Sequence, residues 1–170
     1  MCGIAGSLKR ETSGPHASKL LDGMLQSIFH RGPDQEGRLL DGPLAMGMRR
    51  LSIIDIADGS QPMFDESGRY AVVFNGEIYN YKELRQQLLA RGHRLTTHSD
   101  TETIVHLFED YGSGCLQHLR GMFGLAVWDK SQQELFIARD RLGIKPLYYV
   151  QLRDQFLFAS EIKALLAHPE

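Results

Sequence analysis

Four places in the chain carry residue types able to do chemistry: Cys2, Arg49-Arg50, Asn75-Gly76 and Ser99-Asp100-Thr101-Glu102. A cysteine thiol near neutrality is mostly protonated unless a base or a positive charge assists it. None of the histidines stands where it has an obvious claim to that role. Removal of Met1, which the small second side chain permits, would free the α-amino group of Cys2, with an ordinary pKa of about 7.7–8.0. One residue would then hold both nucleophile and base. On position alone Cys2 also reads as a small apolar residue at the start of a strand. The glycines of Cys2-Gly3-Ile4-Ala5-Gly6 favour the chemical reading, because they let a ligand or another strand approach the backbone.

Asn75-Gly76 is a strong hairpin signal taken alone. The segment Glu77-Ile78-Tyr79-Asn80-Tyr81 leads into a helical pattern and not a returning strand, so an oxyanion hole is the alternative. There the Asn75 amide and the Gly76 N–H would face the oxygen that gains charge when a thiolate attacks an amide. Arg50 of the arginine pair could grip a carboxylate through two parallel hydrogen bonds, although paired arginines at strand ends also read as a solvated edge. Ser99 and Glu102 fit a capping box. Asp100 between them would sit at a helix N-terminus, where the dipole favours an ionised carboxylate able to hold an ammonium group. Arg50 and Asp100 together would hold the two charged ends of a free amino acid. Cys115, in a short helical stretch, reads as core filler, and His30-Arg31-Gly32-Pro33-Asp34 reads as a turn-forming loop without assigned chemistry.

The elements that must position these residues follow from periodicity. An apolar strand is predicted over 2–8, followed by a helix whose Leu20, Leu21, Met24, Leu25, Ile28 and Phe29 share one face. Strands are predicted over 38–40, 44–48, 51–54 and 70–74, separated by turn-formers such as Asp41-Gly42-Pro43 and Asp58-Gly59. A helix over 81–91 starts with Asn80 and Glu83 as an N-cap pair and stops at Gly92; another runs from about Thr101 to before Gly112. Segments 123–129, 134–139, 147–152 and 156–159 return to β, and a short helix is predicted over 161–167. Short connections between many strands point to an α+β fold with antiparallel pairing, in one domain spanning 1–170.

Composition narrows the function classes. The 170 residues are 42% hydrophobic, enough for a substantial core. Nineteen basic against 21 acidic residues give a formal charge of -2, so no field draws in nucleic acid, and a small-molecule substrate is expected. No basic stretch followed by an apolar segment opens the chain, and no run of about 18 apolar residues suggests a membrane span. A cytoplasmic protein is expected. Two cysteines outside any CxxC pair argue against a disulfide framework, and seven histidines without ligand spacing predict no metal.

Six segments in order then carry a resemblance: Met1-Cys2-Gly3-Ile4, His30-Arg31-Gly32-Pro33-Asp34, Arg50-Leu51-Ser52-Ile53-Ile54-Asp55, Asn75-Gly76-Glu77-Ile78-Tyr79-Asn80, Ser99-Asp100-Thr101-Glu102 and Arg139-Asp140-Arg141-Leu142-Gly143-Ile144-Lys145-Pro146-Leu147-Tyr148. Together they closely resemble the glutaminase domain of glutamine-dependent asparagine synthetases, which are class II glutamine amidotransferases of the N-terminal nucleophile hydrolase type. The resemblance implies a four-layer αββα sandwich of antiparallel sheets. It implies Cys2 as nucleophile with its own amine as base, and Asn75 and Gly76 as the oxyanion hole. Arg50 would take the glutamine α-carboxylate and Asp100 the α-amino group, with Glu77 and the backbone of Leu51, Ile53 and Ile54 completing the pocket. The His30 to Asp34 loop would form part of the rim.

The segments around Arg50 and His30 resemble the asparagine synthetase branch more than the sugar-amidating relatives. Members of the family continue into an ATP-using domain with a glycine-rich loop, and no such loop occurs here, so ATP and Mg are expected only in a synthetase domain absent from this chain. The expected partners are glutamine and that synthetase domain, normally in the same chain, with a homodimer of the longer protein possible in principle and neither nucleic acid nor membrane. Two alternatives stand beside this: the same half-reaction serving a different acceptor, and a non-catalytic docking module if Met1 is retained.

Overall fold

Successive side chains of a strand point to opposite faces, and the apolar strands of this chain are buried on both. The computed structural model describes residues 1–9, 15–51 and 59–169. Its strands are β1 (Gly3–Lys9), β2 (Gln35–Asp41), β3 (Leu44–Arg50), β4 (Met63–Phe64), β5 (Tyr70–Ile78), β6 (Gly121–Asp129), β7 (Glu134–Arg139), β8 (Tyr148–Gln151) and β9 (Gln155–Ala159). They form two antiparallel sheets, one in the order β2-β3-β1-β9-β8 and the other β4-β5-β6-β7. Among the described residues four α-helices cover them: α1 (Pro15–Ser27), α2 (Tyr81–Ala90), α3 (Asp100–Tyr111) and α4 (Ile162–Leu165).

Period two sorts the core into three layers. Ile4, Leu44, Met46, Met48, Ala71, Val73, Ala126, Trp128 and Phe158 meet between the sheets. The intervening Ala5, Ala45 and Ala159 face the other way and pack with Leu21, Met24, Leu25 and Ile28 of α1 and Ala164 of α4. Across the second sheet, Val72, Phe74, Leu125 and Val127 pack against Leu84 and Leu88 of α2 and Ile104, Val105 and Leu107 of α3. The chain is therefore the four-layer αββα sandwich that the resemblance implied. Burying each such aliphatic side chain contributes about 1.5–3 kcal/mol. Trp128, fully buried between the sheets, keeps its indole N–H satisfied on the Asp41 carboxylate at 2.7 Å.

Several local expectations are corrected. Phe29 does not continue the apolar face of α1. The helix ends at Ser27, and Phe29 stands in a 3-10 turn over Phe29–Arg31, exposed beneath the Arg49 guanidinium at 5.1 Å. The strand predicted over 51–54 is not continued at Leu51, because β3 stops at Arg50; Ile53 and Ile54 lie outside the described residues. Asn80 precedes α2 but does not cap it. Its side chain instead bridges the His118 carbonyl and the Arg120 N–H, tying the start of α2 to the entry of β6. The capping box is half formed: Ser99 accepts from the Thr101 N–H at 3.2 Å, whereas Glu102 turns away to accept from the N–H and hydroxyl groups of Thr96 and Thr97. The two-residue β4 went unpredicted because it is too short to show a period.

Candidate active site

The same alternation that builds the inter-sheet core also positions the chemistry. Cys2 continues the parity of Ile4, Arg50 that of Met48, Asn75 and Glu77 that of Val73, and Met122 that of Ala126. Each is the next inward-facing position where the sandwich opens. Pairing of Gly3 with Arg49 brings the start of β1 beside the end of β3, and β5 runs out at that same end. There the residues line a cavity of about 340 Å³, within the range of about 300–1,000 Å³ usual for small-molecule sites.

Of the residues predicted from sequence, Cys2, Arg50, Leu51, Asn75, Gly76, Glu77 and Asp100 all line this cavity. Arg50 is 6% exposed and donates to the Gln35 side chain at 2.8 Å, so the guanidinium is held within the wall and is no solvated edge. Asn75 is 2% exposed, and its Nδ2 makes no hydrogen bond among the described residues. A buried amide donor left unpaired carries a cost of about 1–3 kcal/mol unless something else accepts from it. A Cβ at Gly76 would stand 2.2 Å from the Met122 carbonyl oxygen and 2.8 Å from the Phe123 Cα, so the approach of the neighbouring strand by itself requires glycine there. Gly6 likewise makes room for the Phe158 ring.

Asp100, the first residue of α3, accepts from the Ile78 N–H at 2.9 Å. Burial pushes its carboxyl up; the N–H groups of Ile78 and Thr101 oppose this, and nearby Glu77 adds to the rise. The helix start was expected to favour the ionised form, and desolvation outweighs it. An ammonium group between Asp100 and Glu77 would supply the missing counter-charge.

The His30 to Asp34 loop does not line the cavity. It supports Cys2 from behind: Arg31 donates through Nε to the Cys2 carbonyl at 2.9 Å and through Nη1 to Glu161 at 2.9 Å. Ser160 fixes Ile4 through hydrogen bonds to both its N–H and its carbonyl. Burial raises the Glu161 carboxyl, but hydrogen bonds from Arg31, His30 and Lys163 outweigh it and bring the pKa down to about 2. A depressed pKa stabilises the fold above the ordinary carboxylate range and ceases to do so as pH falls through the folded value. Glu161→Gln is therefore expected to lower the melting temperature at pH 6, with the difference from wild type closing between pH 4.5 and about 2. The effect is on the order of 1 kcal/mol, because the carboxylate remains partly in water. Thermal unfolding across that range measures it.

Other cavity residues were not anticipated. Gln61 accepts from the Phe74 N–H at 2.7 Å and donates to the Thr101 hydroxyl at 3.3 Å, bridging β5 to the start of α3. Lys145, 7% exposed, places Nζ 3.1 Å from the Met1 sulfur. Asp140 shapes its loop by accepting from the N–H groups of Phe123, Leu142, Ile144 and Lys145. The only sequence signal for Lys145 was its place in the 139–148 segment, which carried no assigned role.

The glutamine amidotransferase domain family model matches residues 1–170. The chain belongs to that family. This amidotransferase domain is 46% identical over 171 residues to asparagine synthetase [glutamine-hydrolyzing] 2 of Bacillus subtilis (strain 168), covering 99% of this chain and 23% of that protein. It is 39% identical over 181 residues to the amidase chry2 of Gibberella zeae, covering 98% of this chain and 26% of that one. Among solved structures it is similar to the glutamine phosphoribosylpyrophosphate amidotransferase of B. subtilis complexed with ADP and GMP. That match has a TM-score of 0.81 at 24% identity, over 98% of this chain and 43% of the other, and bears on the fold. The amidotransferase domain spans about a quarter of the length of the curated relatives it matches. Among the described residues no helix is long and apolar enough to cross a membrane.

Proposed function

We propose that this chain is the glutamine-hydrolysing unit of an asparagine synthetase, acting through Cys2 once Met1 is removed. In this account Arg50 pairs with the α-carboxylate of glutamine, and Asp100 with Glu77 holds the α-ammonium. The side-chain amide is thereby presented to the Cys2 sulfur. The free Cys2 amine takes the thiol proton, the sulfur adds to the amide carbon, and the oxygen that becomes negative is received by the Asn75 Nδ2 and the Gly76 N–H. Collapse of the intermediate breaks the C–N bond, the amine returns its proton to the departing ammonia, and a thioester remains. Water then adds to the thioester and releases glutamate and free Cys2. Neither cofactor nor metal takes part in these steps.

The observation that carries this reading is the buried Asn75 amide, without a hydrogen bond among the described residues, on the wall that also holds Cys2. Asn75→Ala is expected to lower kcat for glutamate release by about 10²–10³, with KM nearly unchanged, because the lost bond is formed to the charged intermediate. Steady-state glutaminase assays measure this. An unaltered kcat in the folded variant would contradict the assignment.

The share of the relatives that the chain covers supports a synthetase domain in the same polypeptide, where the ammonia is used and where ATP and Mg would act. The exposed Leu142 and Ile144, on the loop that carries Lys145, suit contact with such a domain. A second reading keeps the half-reaction and changes the acceptor. It is favoured by similarity to the fungal amidases at 37–39% identity. Assay of the longer protein with aspartate, glutamine and ATP separates the two.

A further inference from the structure

Histidines that look scattered in sequence come together on the outer face of the second sheet. His93 follows the end of α2, where Gly92 and His93 donate to the Leu89 and Leu88 carbonyls, each at 3.1 Å. His106 lies in α3 with Glu109 one turn later, and Glu66 occupies the turn between β4 and β5. One ligand atom from each of Glu66, His93, His106 and Glu109 lies within 4.8 Å of all the others. None of the four lines the active cavity.

The separations discriminate between a hydrogen-bonded cluster and a metal cage. His106 Nδ1 stands 3.3 Å from a Glu66 oxygen and 3.6 Å from Glu109, while His93 Nδ1 stands 3.4 Å from Glu109 and 3.9 Å from Glu66. Good N–H to O bonds are about 2.7–3.2 Å. Tetrahedral ligands at metal distances of about 2.0–2.1 Å lie roughly 3.3–3.4 Å from one another. His106 Nδ1 is a second, independent sign: its side chain is 1% exposed, and the atom makes no hydrogen bond among the described residues although it faces both carboxylates.

The outer atoms are arranged as metal-bound histidines require. His93 Nε2 meets the Asp110 carboxylate at 3.0 Å, and Asp110 is itself held by Arg91 at 3.0 Å. Such a carboxylate behind the ring directs the opposite nitrogen toward a ligand. The Glu66 carboxylate is oriented by the Arg94 N–H at 2.6 Å. Two imidazoles and two carboxylates suit Zn²⁺ and not Mg²⁺ or Ca²⁺, which take oxygen ligands. With both rings neutral, the two carboxylates balance the charge of one divalent ion.

We infer that Glu66, His93, His106 and Glu109 form a four-ligand structural site for a zinc-class divalent cation, joining the end of α2, the middle of α3 and the β4–β5 turn. The site is independent of the glutamine chemistry, and four protein ligands leave no open position for catalysis.

The test uses the intact protein carrying Cys2→Ser, so that the cavity thiol does not compete for metal. After chelator treatment, Zn²⁺ titration against a chromophoric chelator is expected to show one ion per chain with micromolar or tighter affinity. Co²⁺ is expected to give the intense visible absorption of tetrahedral coordination. The partly exposed pair His93→Asn/Glu109→Gln should weaken binding at least about 100-fold, and Asp110→Asn about 10–100-fold. Zn²⁺ should raise the melting temperature of the parent and not that of the double variant. A folded parent that binds no Zn²⁺ in the micromolar range, or a double variant that binds it as tightly, would overturn the inference.

Discussion

Replacing Cys2 by alanine is expected to reduce glutamate production from glutamine to the uncatalysed background, while the protein stays folded and still binds glutamine. The chemical part follows because Cys2 is the only thiol among the described residues that line the cavity. Cys115, the only other cysteine, is fully buried beneath α3, and burial pushes its thiol up to about 11, so it offers no thiolate. The structural part follows from the half-buried position of Cys2 at the rim of the inter-sheet layer, where losing one sulfur atom leaves no enclosed void. Arg31 holds the backbone carbonyl of residue 2, a contact that any side chain there retains. Binding is expected to persist because Arg50, Glu77 and Asp100 are untouched. Single-turnover assays with isothermal titration of glutamine separate the two effects. Glutamate release at the parental rate by the alanine variant would remove Cys2 from the mechanism.

The second large effect concerns the residue before it. Protein that keeps Met1 is expected to be inactive, with kcat lower by about 10²–10⁴ from loss of the general base and with a raised KM as well. Two causes act together. The peptide bond to Met1 converts the Cys2 amine into an amide with no basic lone pair. The Met1 side chain also lines the cavity proposed for glutamine, with its sulfur beside the Lys145 Nζ. Preparing the protein with a protease-cleavable extension ahead of Cys2 tests both. Activity should appear on cleavage, in proportion to the processed fraction read by intact mass. Equal activity before and after cleavage would show that the amine is not the base.

How much of this was legible in the sequence differs from element to element. Strands 134–139 and 123–129 and the core face of α1 were plain, because short runs rich in Val, Ile and Phe favour strands and a helical apolar spacing has one way to bury its surface. Two of the failures fell where polar side chains had a choice of partner. Asn80 and Glu102 sit in sequence positions suited to capping, yet Asn80 binds the distant segment 118–120, which only the packed chain brings within reach, and Glu102 binds Thr96 and Thr97 just ahead of the helix. Asp100 was located correctly, but its environment was misjudged, since helix position is a local property and desolvation is not.

The sequence by itself determined the parts: it marked Cys2, Arg50, Asn75, Glu77 and Asp100 as candidates by residue type and motif, and Ser99 as the start of the helix that presents Asp100. Only the tertiary structure decided what those parts meet. The stacking of two sheets brings positions 2, 50, 75 and 100 to one cavity, leaves the Asn75 amide without a hydrogen bond there among the described residues, sets Arg31 and Glu161 behind Cys2, and draws His93 and His106 together with two glutamates. The reason is physical. Periodicity records which side of an element is apolar, whereas distances between elements depend on how whole layers pack, and no local stretch of chain carries that information.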